Sequence, residues 1–80
     1  MTRPEIEQRI LAFLRDKLEI DESILLPTNE LKRDIGLSSL DAMELSIFIK
    51  RTFGFQPERK DIHTLVTLDD VYAYIESHQS

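Results

Sequence analysis

Three times in this chain a hydroxyl residue is followed three positions later by a carboxylate, and then by apolar residues recurring every three or four positions: Thr2-x-x-Glu5, Ser38-x-x-Asp41 and Thr67-x-x-Asp70. Each pattern is a capping box. The hydroxyl accepts from the backbone N–H three residues on, and the carboxylate accepts from the hydroxyl residue's own N–H. Together they satisfy donors that the start of a helix leaves without partners. With three such starts and no sustained alternation of apolar and polar residues, the chain must bury its side chains helix against helix. The expected architecture is all-α, a four-helix bundle with three longer helices and one short one.

The first helix is predicted from about Arg3 to Leu18, with Pro4 in its first turn and an inward stripe of Ile6, Ile10, Phe13, Leu14 and Leu18. A second starts at Ser38-Ser39 and ends near Phe53, where Gly54 stops it. One turn is predicted at roughly Lys60 to Thr64. A last helix runs from about Leu68 to Ser77, with Leu68, Val71, Tyr72 and Ile75 facing inward. Between the first two helices lies a long connection, Glu19 to Leu37. It contains Pro27, which interrupts any continuous helix, with turns predicted after Asp21 and Thr28. Its Ile20, Ile24, Leu25, Leu26, Leu31, Ile35 and Leu37 are expected to pin it across the bundle.

Composition narrows the function. At 80 residues the chain is expected to be one domain, residues 1–80, with a modest core. Its net charge of −5 argues against nucleic acid and favours partners with basic docking surfaces. Cysteine is absent, which excludes disulfides, thiolate catalysis and cysteine-based metal sites; no metal site is expected. No apolar run approaches the length of a membrane span. The expectation is a cytoplasmic monomer.

The two adjacent serines have different roles. With Ser38 as the N-cap, its hydroxyl is committed to the N–H groups one turn in, and Asp41 completes the box beside the positive end of the helix dipole. Ser39 is then the first helical residue, with its hydroxyl directed to water. Gly36, just upstream, is expected to allow a tight approach, since it tolerates φ > 0 without steric cost. Ser39 has no base beside it in sequence, and His63 and His78 lie far along the chain. The pattern is not the G-x-S-x-G elbow that presents a catalytic serine, so no catalytic residue is expected. A helix start does suit a phosphate ester, because free N–H groups and the dipole favour anions.

The second helix also carries apolar residues on two sides. Leu45, Ile49 and Phe53 cluster on one, with Ala42 and Thr52 beside them. Leu40, Met43 and Ile47 lie nearly opposite, among Glu44 and Arg51, and Phe48 is on the flank. Either the second stripe docks a partner, or the helix is central and buries both sides.

The run Asp34-Ile35-Gly36-Leu37-Ser38-Ser39-Leu40-Asp41, followed by Met43-Glu44-Leu45, resembles the prosthetic-group motif of acyl carrier proteins. The segment Thr67-Leu68-Asp69-Asp70-Val71-Tyr72-Ala73-Tyr74-Ile75 is similar to the last helix of that family, and the likeness extends over nearly the whole chain. It implies that Ser39 carries 4′-phosphopantetheine, derived from coenzyme A and attached by a phosphopantetheinyl transferase. The arm's thiol would hold acyl groups for acyl-loading and acyl-transferring enzymes of fatty-acid or lipid metabolism. Leu40, Asp41, Met43, Glu44 and Ile47 would be the docking positions, with Asp34, Asp41 and Glu44 steering basic partners. Alternatives are an aminoacyl or aryl (peptidyl-type) carrier, and an unmodified helical adaptor using the same face.

Three features depart from the family pattern. Ser38 stands where an Asp is usual. The end of the second helix reads Lys50-Arg51-Thr52, where general fatty-acid carriers tend to be acidic, and Arg59 and Lys60 add more positive charge, which implies a specialised member. Phe48 is bulky for a position beside an acyl-binding cleft and is expected to restrict sequestration of the cargo there.

Overall fold

All three capping boxes close in the computed structural model, which describes residues 1–79. The Ser38 and Thr67 boxes are tight, with both bonds of each at 3.0–3.1 Å. The Thr2 box is looser, at 3.4 and 3.5 Å. The helices they open are α1 (Arg3–Asp16), α2 (Ser39–Phe53) and α4 (Leu68–His78). The short α3 (Arg59–Ile62) lies between α2 and α4, and a 3-10 turn at Glu22–Ile24 follows Asp21. The fold is all-α, four helices with no strands among the described residues.

Each inward stripe lands in one core. Ile6, Ile10 and Leu14 of α1 meet Leu45, Ile49 and Phe53 of α2 and Leu68, Val71, Tyr72 and Ile75 of α4. Phe13 and Leu18 pack at its margin, half-buried. Arg3 ties α1 to α4: its guanidinium pairs with Asp69 and with Glu76 at 3.5 Å, and lies 5.3 Å from the centre of the Tyr72 ring. Burial pushes the Tyr72 phenol up to about 12.

The long connection is pinned as expected by Leu25, Leu31, Ile35 and Leu37, all buried, with Ile20 and Ile24 half-buried. Leu26 departs from expectation and is 51% exposed. It is the immediate neighbour of Leu25, and where the chain leaves the 3-10 turn the inward Leu25 sends the next side chain outward. Backbone bonds also fix this segment against the start of α4: Leu31 N–H to Val66 O at 2.9 Å, Leu68 N–H to Asn29 O at 3.2 Å and Asp69 N–H to Pro27 O at 2.9 Å. The turn predicted after Thr28 forms where the N–H groups of Asp34 and Ile35 both reach Glu30 O.

α1 stops at Asp16, two residues short of the expected end. Leu18 N–H reaches back to Phe13 O, and Glu19 turns the chain with φ 54. α3 starts one residue before expectation and ends two residues before it. The Tyr74 hydroxyl holds α3 against α4: it donates to Asp61 at 3.0 Å and accepts from Glu58 N–H at 3.4 Å. Among the described residues no helix is long and apolar enough to cross a membrane.

Candidate functional site

The start of α2 divides the two serines between two environments. The Ser38 hydroxyl accepts from Asp41 N–H at 3.1 Å, and Asp41 Oδ2 accepts from Ser38 N–H at 3.1 Å. Ser39 is the first helical residue and is exposed. Among the described residues nothing hydrogen-bonds its hydroxyl, and the N–H groups of Ser39 and Leu40 have no acceptor. This leaves one hydroxyl and two amide donors at the positive end of a 15-residue helix.

The approach to the serines is rigid for local reasons. Gly36 has φ +82, and a Cβ there would meet nothing within 4 Å. The expected tight approach is thus corrected: glycine is needed here for the left-handed turn, with no neighbour crowding the position. Asp34 braces the same turn: its carboxylate accepts from Glu30 N–H at 2.8 Å and from Arg33 at 3.4 Å. The Glu30 bond is the main reason its pKa falls below the ordinary carboxylate value. Asp34 is thus tied into the loop, with part of its charge offset by Arg33.

Ser39 sits at the mouth of a cleft of about 830 Å³ between α2, the loop before it and the α3 segment. The walls are largely apolar, including Leu37, Ala42, Leu45, Ile49 and Leu65. α3 brings Arg59 and His63 to the lining of this cleft, and the loop brings Lys32. Sequence reasoning missed this trio. A four-residue helix held by one tyrosine clasp gives no periodic signal, and the only cue was the positive charge of Arg59. No hydrogen bond joins His63 to Ser39 among the described residues.

The expectation for Phe48 is corrected. It does not line the Ser39 cleft; it stacks on Phe13 with ring centres 4.5 Å apart and meets Phe53 edge-on at 6.3 Å. Its place on the flank turns it toward α1, where a large aromatic partner already stands. From α2 the cleft takes Ala42, Met43, Leu45, Ser46 and Ile49.

The outer stripe of α2 is open: Leu40 is 62% exposed, Met43 60% and Ile47 49%, with Glu44 exposed among them. The inner stripe is closed, with Leu45, Ile49 and Phe53 at most 8% exposed. The helix therefore does not bury both sides. Asp41 is half-buried, with one carboxylate oxygen committed to the cap.

The fold and this helix mouth define a class: a small helical bundle offering an exposed, uncommitted hydroxyl at a helix start beside an apolar cleft. Over residues 8–75 the sequence matches the family described as PP-binding, phosphopantetheine attachment site. The chain belongs to that family, the acyl carrier protein family of phosphopantetheine carriers, whose domains bear covalently attached 4′-phosphopantetheine and are generally non-catalytic. The residues present fit the group, since an exposed hydroxyl and two free amides at a helix start suit a phosphate ester.

Proposed function

We propose that the chain is an acyl carrier whose arm is attached at Ser39. One observation carries the reading: of two adjacent serines, Ser38 is locked into the cap and Ser39 alone is free, at the mouth of the apolar cleft. The arm, when attached, supplies the thiol that holds cargo as a thioester. The protein's part is to present the Ser39 oxygen, to set the Ser39 and Leu40 N–H groups beside the phosphate charge, and to shelter apolar cargo. The cleft's aliphatic walls favour acyl over aminoacyl or aryl cargo. Leu40, Met43 and Ile47 form the apolar docking stripe. Glu44 and the outer oxygen of Asp41 steer basic partner surfaces in a salt-dependent way. The partners are a phosphopantetheinyl transferase and the enzymes that load and unload the acyl group. The chain acts as a single carrier domain with no chemistry of its own.

Intact mass tests the assignment. Incubation with coenzyme A and a broad-specificity transferase is expected to add one phosphopantetheine to the parent chain and to Ser38→Ala, and none to Ser39→Ala. A gain that survives Ser39→Ala and disappears with Ser38→Ala overturns the two roles. No gain with several transferases favours the unmodified adaptor, and preferential loading of aminoacyl groups favours the peptidyl-type carrier.

A further inference from the structure

A second groove, of about 580 Å³, runs between α1 and α2 on the side away from the Ser39 cleft. Its floor is the stacked Phe13–Phe48 pair with Ile47 beside it. Three cations line it, Arg9 and Lys17 from α1 and Arg51 from α2. All three are exposed, and none has an ion-pair partner among the described residues. Of the two acids that also line it, Asp16 is already held by Arg15 at 3.0 Å, which leaves only Glu44. An acidic protein of net charge −5 thus keeps one aromatic-floored groove with unneutralised positive charge. Long cationic side chains around a half-buried aromatic pair set positive charge beside an apolar surface, which complements an anionic ligand with an apolar face.

We propose that this groove docks an acidic amphipathic helix of a partner protein. Leucine-type residues at i, i+3, i+4 and i+7 would seat on Phe13, Phe48 and Ile47, as in helix-in-groove recognition. Glutamates on its flanks would meet Arg9, Lys17 and Arg51. Arg51 lies twelve positions beyond Ser39, about 18 Å along the helix axis at 1.5 Å per residue. The groove and the mouth of α2 can therefore be engaged at once, the groove holding the partner while its active site works at the mouth. Ile47 belongs to both the groove and the outer stripe, which makes the two surfaces continuous. The charge preference is opposite to that of Glu44 and Asp41, so a partner using both surfaces must be basic near the serines and acidic beyond Ile47. The proposal does not depend on which serine carries the arm.

The test is an NMR titration of the full chain with a synthetic helical peptide of about four turns, leucines on one face and glutamates on its flanks. It is run on the phosphopantetheinylated and the unmodified protein alike. Expected are shifts at Phe13, Ile47, Phe48 and Arg51 in both forms, weakening with salt. Binding should be about tenfold or more weaker in Arg51→Glu and in Arg9→Glu/Lys17→Glu. These positions are exposed, so thermal melts should show the variants folded. A counterpart peptide with lysine in place of each glutamate is expected not to bind. The proposal is overturned by no shifts at the groove, by equal binding of the lysine peptide, or by binding that survives the charge reversals. It is overturned as well if the same resonances respond to phosphatidylglycerol vesicles or to protein concentration instead of the peptide. Failure of Ser39 modification would remove only the modified arm and leave every readout on the unmodified protein unchanged, so the two proposals fail separately.

Discussion

The inner and outer faces of α2 carry the same kind of side chain and meet different surroundings. Leu45, Ile49 and Phe53 close the core, while Leu40, Met43 and Ile47 stand in water on the same 15-residue helix. A small chain has little folding free energy to spare, so leaving three large apolar residues outside gains nothing for stability. The contrast separates what folds the protein from what, on the proposed reading, it offers to partners. The same division recurs one turn earlier, where Ser38 is spent on the cap and Ser39 is left free.

The largest expected effect lies in the face comparison itself. Leu45→Ala and Ile49→Ala should each cost about 2–5 kcal/mol, whereas Met43→Ala and Ile47→Ala should stay within about 0.5 kcal/mol. Urea melts on the four variants check this. An outer-face loss as large as that of Leu45→Ala would break the distinction.

Next come the carboxylates of the boxes that open α2 and α4. Asp70 accepts from both Val66 N–H and Thr67 N–H at 3.0 Å, while among the described residues Asp41 accepts only from Ser38 N–H. Removing Asp70 should cost about 1.5–3 kcal/mol, the usual range for hydrogen bonds to charged groups, and more than Asp41→Ala. The Thr67 backbone bond is the main reason the Asp70 pKa lies below its ordinary 3.8. Its contribution is therefore present above pH 3.8 and is lost as acid titrates it through the lower folded value. Melts between neutral pH and pH 2 should show a shallower acid limb in Asp70→Ala than in the parent.

A smaller effect separates the serines. Ser38→Ala should lose about 0.5–2 kcal/mol through the lost cap, and Ser39→Ala should change stability by no more than about 0.5 kcal/mol. Equal losses in the same melts would mean that both hydroxyls serve the fold. At neutral pH the smallest effect belongs to Tyr72→Phe, since the phenol is neutral there in either state. Because burial raises its pKa from 10.0 to about 12, Tyr72 contributes stability that is complete below pH 10 and is lost as pH rises toward 12. Alkaline melts should fall over that window in the parent and in Met43→Ala, and fall less in Tyr72→Phe.

The sequence made the helix starts legible because a capping box is a local device, and the two stripes of α2 legible because periodicity groups them, while which stripe stays open needed the packing of the bundle. It did not reveal what depends on distant partners. The connection from Glu19 to Leu37 is held by backbone bonds joining its Leu31, Asn29 and Pro27 to Val66, Leu68 and Asp69 that no pattern encodes, and Leu26 was therefore wrongly placed inside. Phe48 was assigned to the wrong cleft because its stacking partner, Phe13, lies 35 positions away. Of the candidate site, Ser39 and the residues of the outer stripe could be read from the sequence. Lys32, Arg59 and His63 around the cleft could not, because only the packing of α3 brings them there.

The most direct test of the division within α2 uses the unmutated chain, so that no change of stability intervenes. After modification with coenzyme A, fragmentation of the peptide spanning residues 34–50 locates the added mass by sequence position. The account predicts that fragments ending at Ser38 keep their unmodified mass and that the increment first appears with Ser39. An increment already present on Ser38 would mean that the capping hydroxyl carries the arm, and would contradict the account.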